Sequence, residues 1–214
     1  MTSPTGDGYF LEAVQRAGVY FVNWFVDMFA GGRSDPAIFD RLEREAAAVP
    51  IGSDGLLAGT TLVGCMDPHW DPSARASFIG MHPSHTLGHF YRAGLEAMTL
   101  QTARALEEMR SHGLSPAQMV AIGGGANSKL WTKMIADATG ISIHKGHNAE
   151  ASSLGAAISA AVGIGWFESF AEAADAMTSI AETIEPDPRR REAWDALSAR
   201  QAKVFPASQF AWRN

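Results

Sequence analysis

Cys65 is the only cysteine in 214 residues. A single thiol rules out an internal disulfide or a multi-cysteine metal site, and it fits a reducing cytoplasm. A basic excess is also absent, since 17 Lys and Arg stand against 23 Asp and Glu, for a formal net charge of −6. Nucleic-acid-binding domains carry the opposite balance, so nucleic acid is not an expected partner. No long apolar run is present. The most apolar tract, residues 154–167, is short and dominated by Gly, Ala and Ser, which predicts a closely packed buried helix and no membrane span. The first eight residues are polar and lack the basic and then apolar regions of a signal peptide. Repeats, low-complexity segments and clear linkers are missing too, which points to one domain over residues 1–214. The 46% hydrophobic content suffices for an ordinary globular core.

The apolar spacing predicts helices over residues 8–30, 34–49, 86–112, 128–139, 152–162, 170–176 and 188–204. Short strands are expected within residues 55–63, 74–79, 119–122 and 141–144. From Thr86 onward the order is helix, strand, helix, strand, helix, the mark of an α/β layered domain. Four short strands are few for so many helices.

Ile122-Gly123-Gly124-Gly125-Ala126-Asn127-Ser128-Lys129-Leu130-Trp131 is the stretch richest in chemical meaning. It reads as a strand, a triple glycine and a helix opening on a small polar residue. Glycines at such a turn let backbone N–H groups approach a ligand, and the helix start adds unpaired N–H groups and the positive end of its dipole. An anionic ligand, a nucleotide above all, suits it; a tight turn with no ligand is the plain alternative. A dinucleotide fingerprint would want Gly or Ala at Ser128 and an acid near His144-Lys145, and a phosphate-binding Walker loop would want Gly-Lys-Ser/Thr. Neither pattern is met. His82, His85 and His89 could bring two imidazoles onto one helix face, but Ser84-His85-Thr86 reads more simply as a helix start and no metal is expected. Pro68 to Pro72 reads as a rigid turn with Asp71 taking local backbone hydrogen bonds, and Arg189 to Arg191 as a solvated helix face.

Eight segments in order resemble the C-terminal half of the FGGY carbohydrate kinases. They begin with Tyr9-Phe10-Leu11-Glu12 followed by Trp24, then Pro68-His69-Trp70-Asp71-Pro72, the run from Ala74 to Gly80, and Ser84-His85-Thr86. Tyr91-Arg92-Ala93-Gly94-Leu95-Glu96 follows, then Gly123 to Ser128 with Trp131. Leu154-Gly155-Ala156-Ala157 and Glu185-Pro186-Asp187-Pro188 close the series.

The resemblance implies an α/β, ribonuclease-H-like half of the actin-like ATPase type: a small mixed sheet flanked by many helices, its first strands missing. It implies ATP as the bound nucleotide, Mg²⁺ carried on the phosphates, and transfer of the γ-phosphoryl group to a carbohydrate hydroxyl. The family's Gly-Thr-Ser hairpin turn, sugar-binding half and catalytic aspartate would lie upstream of Tyr9, so no residue here is expected to be catalytic. Gly124 and Gly125 match the glycines that lie against the nucleotide, within a contact set running from Gly123 through Ala126. Asn127 and Ser128 match the small polar position at the adenosine, and residues 151–156 resemble the loop that closes the adenine pocket. Asn23 stands where the family's glycerol kinases have a longer polar residue. Val19 replaces a glycine and would bring a branched side chain toward the phosphates.

A rival reading is a non-catalytic nucleotide-binding or interaction module, which Val19 and the absent hairpin favour. On either reading the helix from Phe10 to Phe29 lacks cover for Phe21, Trp24, Phe25 and Phe29, and a homo-oligomer is expected.

Overall fold

The computed structural model describes residues 8–35, 37–147 and 150–213. The polar leader and Pro36 of the second helix start therefore fall outside, or largely outside, the described residues. Eight α-helices and five strands are present among them: α1 (Gly18–Phe29), α2 (Ile38–Ala47), β1 (Leu57–Gly59), β2 (Ser77–Ile79), α3 (Leu87–Ser111), β3 (Met119–Ala121), α4 (Lys129–Thr139), β4 (Ile143–Gly146), α5 (Ala151–Gly163), α6 (Phe170–Met177), β5 (Ile180–Ile184), α7 (Arg191–Gln201) and α8 (Val204–Ser208). β1 and β2 form an antiparallel pair. The second sheet is mixed, in the order β3-β4-β5, with β3 parallel and β5 antiparallel to β4.

α3 is the post on which the rest is built, and residues 91–100 are buried without interruption. At its start, Thr86 N–H donates to His89 Nδ1 at 3.0 Å, so an imidazole fills the role that Glu or Gln takes in a capping box. At its end Gly113 adopts φ +83°, a conformation that other residues rarely take. Two glycines on α3 let neighbouring helices come close. A Cβ on Gly94 would lie 2.4 Å from Phe21 Cε1 on α1, and one on Gly88 would lie 2.9 Å from the Glu45 backbone on α2. Between them sits a buried ion pair, Arg92 Nε to Glu96 Oε1 at 2.7 Å. Its remaining valences are satisfied: Arg92 Nη1 donates to the Ala46 carbonyl, while Gly52 N–H and the Ser53 hydroxyl donate to the Glu96 carboxylate. Burial nevertheless pushes the Glu96 carboxyl above the ordinary range, against the pull of Arg92.

A second polar hub explains the Glu-Pro-Asp-Pro segment. The buried Asp137 carboxylate on α4 accepts from Lys133 Nζ, from Asp187 N–H at 2.7 Å and from Arg190 Nη1 at 3.3 Å. Asp187 in turn caps the 3-10 turn at Pro188–Arg190 and pairs with Arg189. Arg189, Arg190 and Arg191 are all exposed, as a solvated face requires, and Arg190 is in addition tied to a buried acid.

Four expectations are corrected. α1 begins at Gly18, ten residues later than the spacing suggested. The preceding segment carries Tyr9, Phe10 and Leu11 largely exposed, so no buried face supports a helix there. Phe21 and Phe25 are 2% and 1% exposed, covered by α3 through Gly94, Tyr91 and Leu95 within one chain. The large apolar residues that α1 leaves outward are Val19, Tyr20, Met28 and Phe29. α5 is not the buried helix its small residues suggested. Among its residues only Ala161 is buried, and its main neighbour is α6. Lastly, β5 was missed. It is an edge strand of exposed, mixed polarity, held by His144–Thr183 and Lys145–Glu182 side-chain contacts at 2.9 and 3.1 Å. Asp71 does take local hydrogen bonds, from Ser73 N–H and Ser73 Oγ, and also pairs with Arg213.

Replacing Gly94 with Ala should overpack the α1–α3 crossing and lower stability by about 1–3 kcal/mol, read as a lower midpoint in denaturant. The acid limb is set by Asp71 and Asp187, held down to about 2 by hydrogen bonds from Ser73 and Arg189 respectively. Because folding depresses both, their stabilisation is full above an unfolded carboxyl value of about 4 and fades as pH falls toward 2. Denaturant midpoints measured between pH 5 and pH 2.5 should fall less steeply in the Asp71→Asn, Asp187→Asn double variant.

Candidate functional site

The glycine turn leaves β3 and enters α4 through a 3-10 turn, Gly124–Asn127. Its three glycines serve three different needs. Gly123 takes φ +73° and ψ −171°, a region essentially reserved for glycine. A Cβ on Gly125 would meet Trp131 Cζ3 at 3.0 Å and Val19 Cγ2 at 3.4 Å. A Cβ on Gly124 would meet nothing within 4 Å. The first glycine is required by the backbone and the third by packing, while the second faces open space.

That open space is a cavity of ≈ 480 Å³ between α1, α2, α3 and the turn. Val19 and Asn23 reach it from α1, Tyr91 from α3, Phe39, Asp40 and Glu43 from α2, and Gly124, Gly125, Asn127, Ser128 and Trp131 from the turn and α4. Asn23 and the turn, a hundred residues apart in the chain, are thus brought to one concavity by the packing of α1 on α3. Gly123 and Ala126 shape the turn without lining the cavity, and residues 151–156 do not line it either. Val19 stands against Gly125, as its place in α1 dictates.

The polar groups of this wall are poorly satisfied from within. The N–H groups of Gly124 and Gly125 have no acceptor among the described residues. The side chains of Asn23, Asp40, Glu43 and Asn127 make no hydrogen bond or ion pair there either. Ser128 is the exception, since its hydroxyl oxygen caps α4 by accepting from Trp131 N–H at 3.0 Å. Asp40, Glu43 and Tyr91 were not singled out as site residues from the sequence. On α2, Phe39, Asp40 and Glu43 share one face by helical spacing, the one signal that could have found the two acids. A smaller concavity of ≈ 160 Å³ lies under β1 and α8, where His69 stacks on Phe205 at 3.7 Å; it shares no residue with the turn.

His85 Nε2 and His89 Nε2 both converge on Asp54, on its carbonyl at 3.3 Å and its carboxylate at 3.1 Å, while His82 bonds to Ser84. His85 and His89 thus tie the start of α3 to the loop before β1, and His82 braces the turn that leads into it.

With this geometry in hand, the comparisons place the chain. The profile described as the FGGY family of carbohydrate kinases, C-terminal domain, matches residues 1–164. The chain belongs to that family, and its fold is the actin-like ATPase fold of those kinases. Among its relatives, the xylulose kinase of Bacillus subtilis is 36% identical over 191 residues, which is 89% of this chain and 38% of that protein. The glycerol kinase of Trichlorobacter lovleyi is 33% identical over 161 residues, 75% of this chain and 32% of that protein. The crystal structure of xylulose kinase from Rhodospirillum rubrum superposes with a TM-score of 0.79 at 29% identity, covering 92% of this chain and 39% of that one. The chain therefore spans about two-fifths of the length of the relatives it matches. Among the described residues no helix is long and apolar enough to cross a membrane.

The turn yields a paired test of glycine roles. Gly123→Ala should cost about 1–3 kcal/mol through its backbone conformation, whereas Gly124→Ala should leave thermal unfolding within about 0.5 kcal/mol of the parent chain.

Proposed function

We propose that this chain is one nucleotide-holding domain, over residues 1–214, of a sugar or polyol kinase that transfers the γ-phosphoryl group of ATP to a carbohydrate hydroxyl. The observation that carries the reading is the convergence of Asn23, Asn127 and the free N–H groups of Gly124 and Gly125 on one cavity of ≈ 480 Å³. Such a wall offers donors to an anion and amides to a base, in a volume suited to a small-molecule ligand. Gly124 and Gly125 lie against the phosphates, Asn23 and Asn127 contact the nucleoside, Ser128 holds α4 in place, and Gly123 and Ala126 shape the turn. Mg²⁺ travels on the phosphates of the nucleotide and is assigned no ligand among these residues. Phosphoryl transfer of this kind rests on positioning and charge stabilisation, and the group that accepts the hydroxyl proton belongs to the additional length the relatives carry. The carbohydrate is bound there as well. The setting is cytoplasmic, with a lone buried thiol.

The second reading, a nucleotide-binding or interaction module without catalysis, is favoured by one observation: Val19 presses a branched side chain against Gly125, where it narrows the approach to the turn. Either way, the outward Tyr20, Met28 and Phe29 and the exposed Val120 of the edge strand β3 favour pairing with a second copy.

The purified chain should bind ADP in calorimetric titration, and Gly124→Val should weaken binding at least tenfold with no change in melting temperature. A coupled assay with pentoses, hexoses and polyols should show no turnover above background. ADP affinity unmoved by Gly124→Val would place the site elsewhere, and turnover would show that the proton acceptor lies within these residues.

A further inference from the structure

Tyr91 of α3 carries a polar group that the fold leaves unused. It is 3% exposed, its ring packs on Phe25 at 5.7 Å, and it lines the cavity, yet its hydroxyl hydrogen-bonds to no described residue. A phenol held by packing, with its hydroxyl unused by the fold, can give a hydrogen bond to and take one from a group that enters the cavity. Glu43, on the facing wall of α2, is close enough that its charge, after burial, raises the Tyr91 phenol above its ordinary range. The Glu43 carboxylate is also free of any ion pair or hydrogen bond among the described residues, as is Asp40 one turn before it. Two negative side chains exclude phosphate from this wall by like-charge repulsion, leaving the phosphates to the glycine turn.

Resting on the nucleotide reading above, we propose that Glu43 and Tyr91 together bind the ribose hydroxyls of the nucleotide and make this domain selective for ribonucleotides. The chemistry favours the sugar over the base. A carboxylate only accepts, and a phenol both donates and accepts. A cis-diol offers two adjacent O–H donors, each also an acceptor, and satisfies both groups whichever base it carries. The bond to the carboxylate is charge-assisted and lies in a partly enclosed cavity, where such bonds are strong and their loss is readily measured.

The test is calorimetric titration of the intact chain with ADP, 2′-deoxy-ADP, 3′-deoxy-ADP and IDP, repeated with Tyr91→Phe and Glu43→Gln. Both substitutions keep side-chain shape, and unchanged melting temperatures confirm the fold. The expected result is that removing the 2′- or the 3′-hydroxyl weakens binding to the parent chain at least tenfold. IDP should bind within threefold of ADP, and Glu43→Gln should bring the deoxy analogues to within threefold of ADP. Equal binding of ADP and both deoxy analogues by the parent chain overturns the proposal while leaving the nucleotide reading intact. Discrimination that survives both substitutions also overturns it. A loss seen with IDP alone assigns these groups to the base. Failure of the parent chain to bind ADP at all sinks the nucleotide reading and the proposal with it.

Discussion

The close approach of α1 and α2 to α3 is the constraint on which the rest depends. Gly94 admits the edge of Phe21, Gly88 admits the backbone at Glu45, and no side chain fits in either place without moving its neighbour. Between these contacts the Arg92–Glu96 pair reaches out to the Ala46 carbonyl and to the loop at Gly52 and Ser53. A buried pair of this kind adds little net stability, but removing one partner leaves an uncompensated charge, so it holds the register of α2 and its following loop on α3. Packing and polar contacts therefore fix the same geometry twice.

The cavity follows from that geometry. Three helices that approach so closely at Gly88 and Gly94 must diverge elsewhere, and where they do the glycine turn closes the opening. Val19 and Asn23 come into the wall because Phe21 and Phe25, on the opposite face of α1, are drawn into the core. Asp40 and Glu43 come in because Ile38, Leu42 and Ala46 are the buried face of α2. The same burial that stabilises the domain thus orients the polar groups that face a ligand. The wall is asymmetric, with backbone donors at the turn and carboxylates at α2. A ligand negative at one end and rich in hydroxyls at the other matches it. Asp137 works at a different level, fastening the C-terminal helices to the back of α4, away from the cavity.

Much of the domain was legible in the chain because its longer helices carry both periodicity and punctuation. α3 and α4 were read almost to the residue, since Thr86 and Ser128 start them and Gly113 and Gly140 end them. The glycine turn stood out by its own chemistry and Asn23 by the family resemblance, and they share one cavity. The failures have physical causes. Residues 9–16 have helical spacing of apolar residues, but Tyr9, Phe10 and Leu11 stay largely exposed, and spacing without burial does not make a helix. α5 has the composition of a close-packed helix, yet composition says only that a neighbour could come near, not that one is there. β5 lacks the alternation that burial of one face imposes, because both faces are largely exposed. Tyr91, Asp40 and Glu43 were missed as site residues because they come to one cavity only where two helices meet; the shared face of Asp40 and Glu43 on α2 is a local pattern, but its facing Tyr91 is not.

The central claim is that the glycine turn and the inner face of α1 form one binding surface, and hydrogen–deuterium exchange with and without saturating ADP tests it most directly. The account predicts slowed exchange in two segments distant in the chain, Val19 to Trp24 and Gly124 to Trp131, with the region around β1, His69 and α8 unchanged. Protection confined to that second region, or no protection anywhere at saturation, would contradict it.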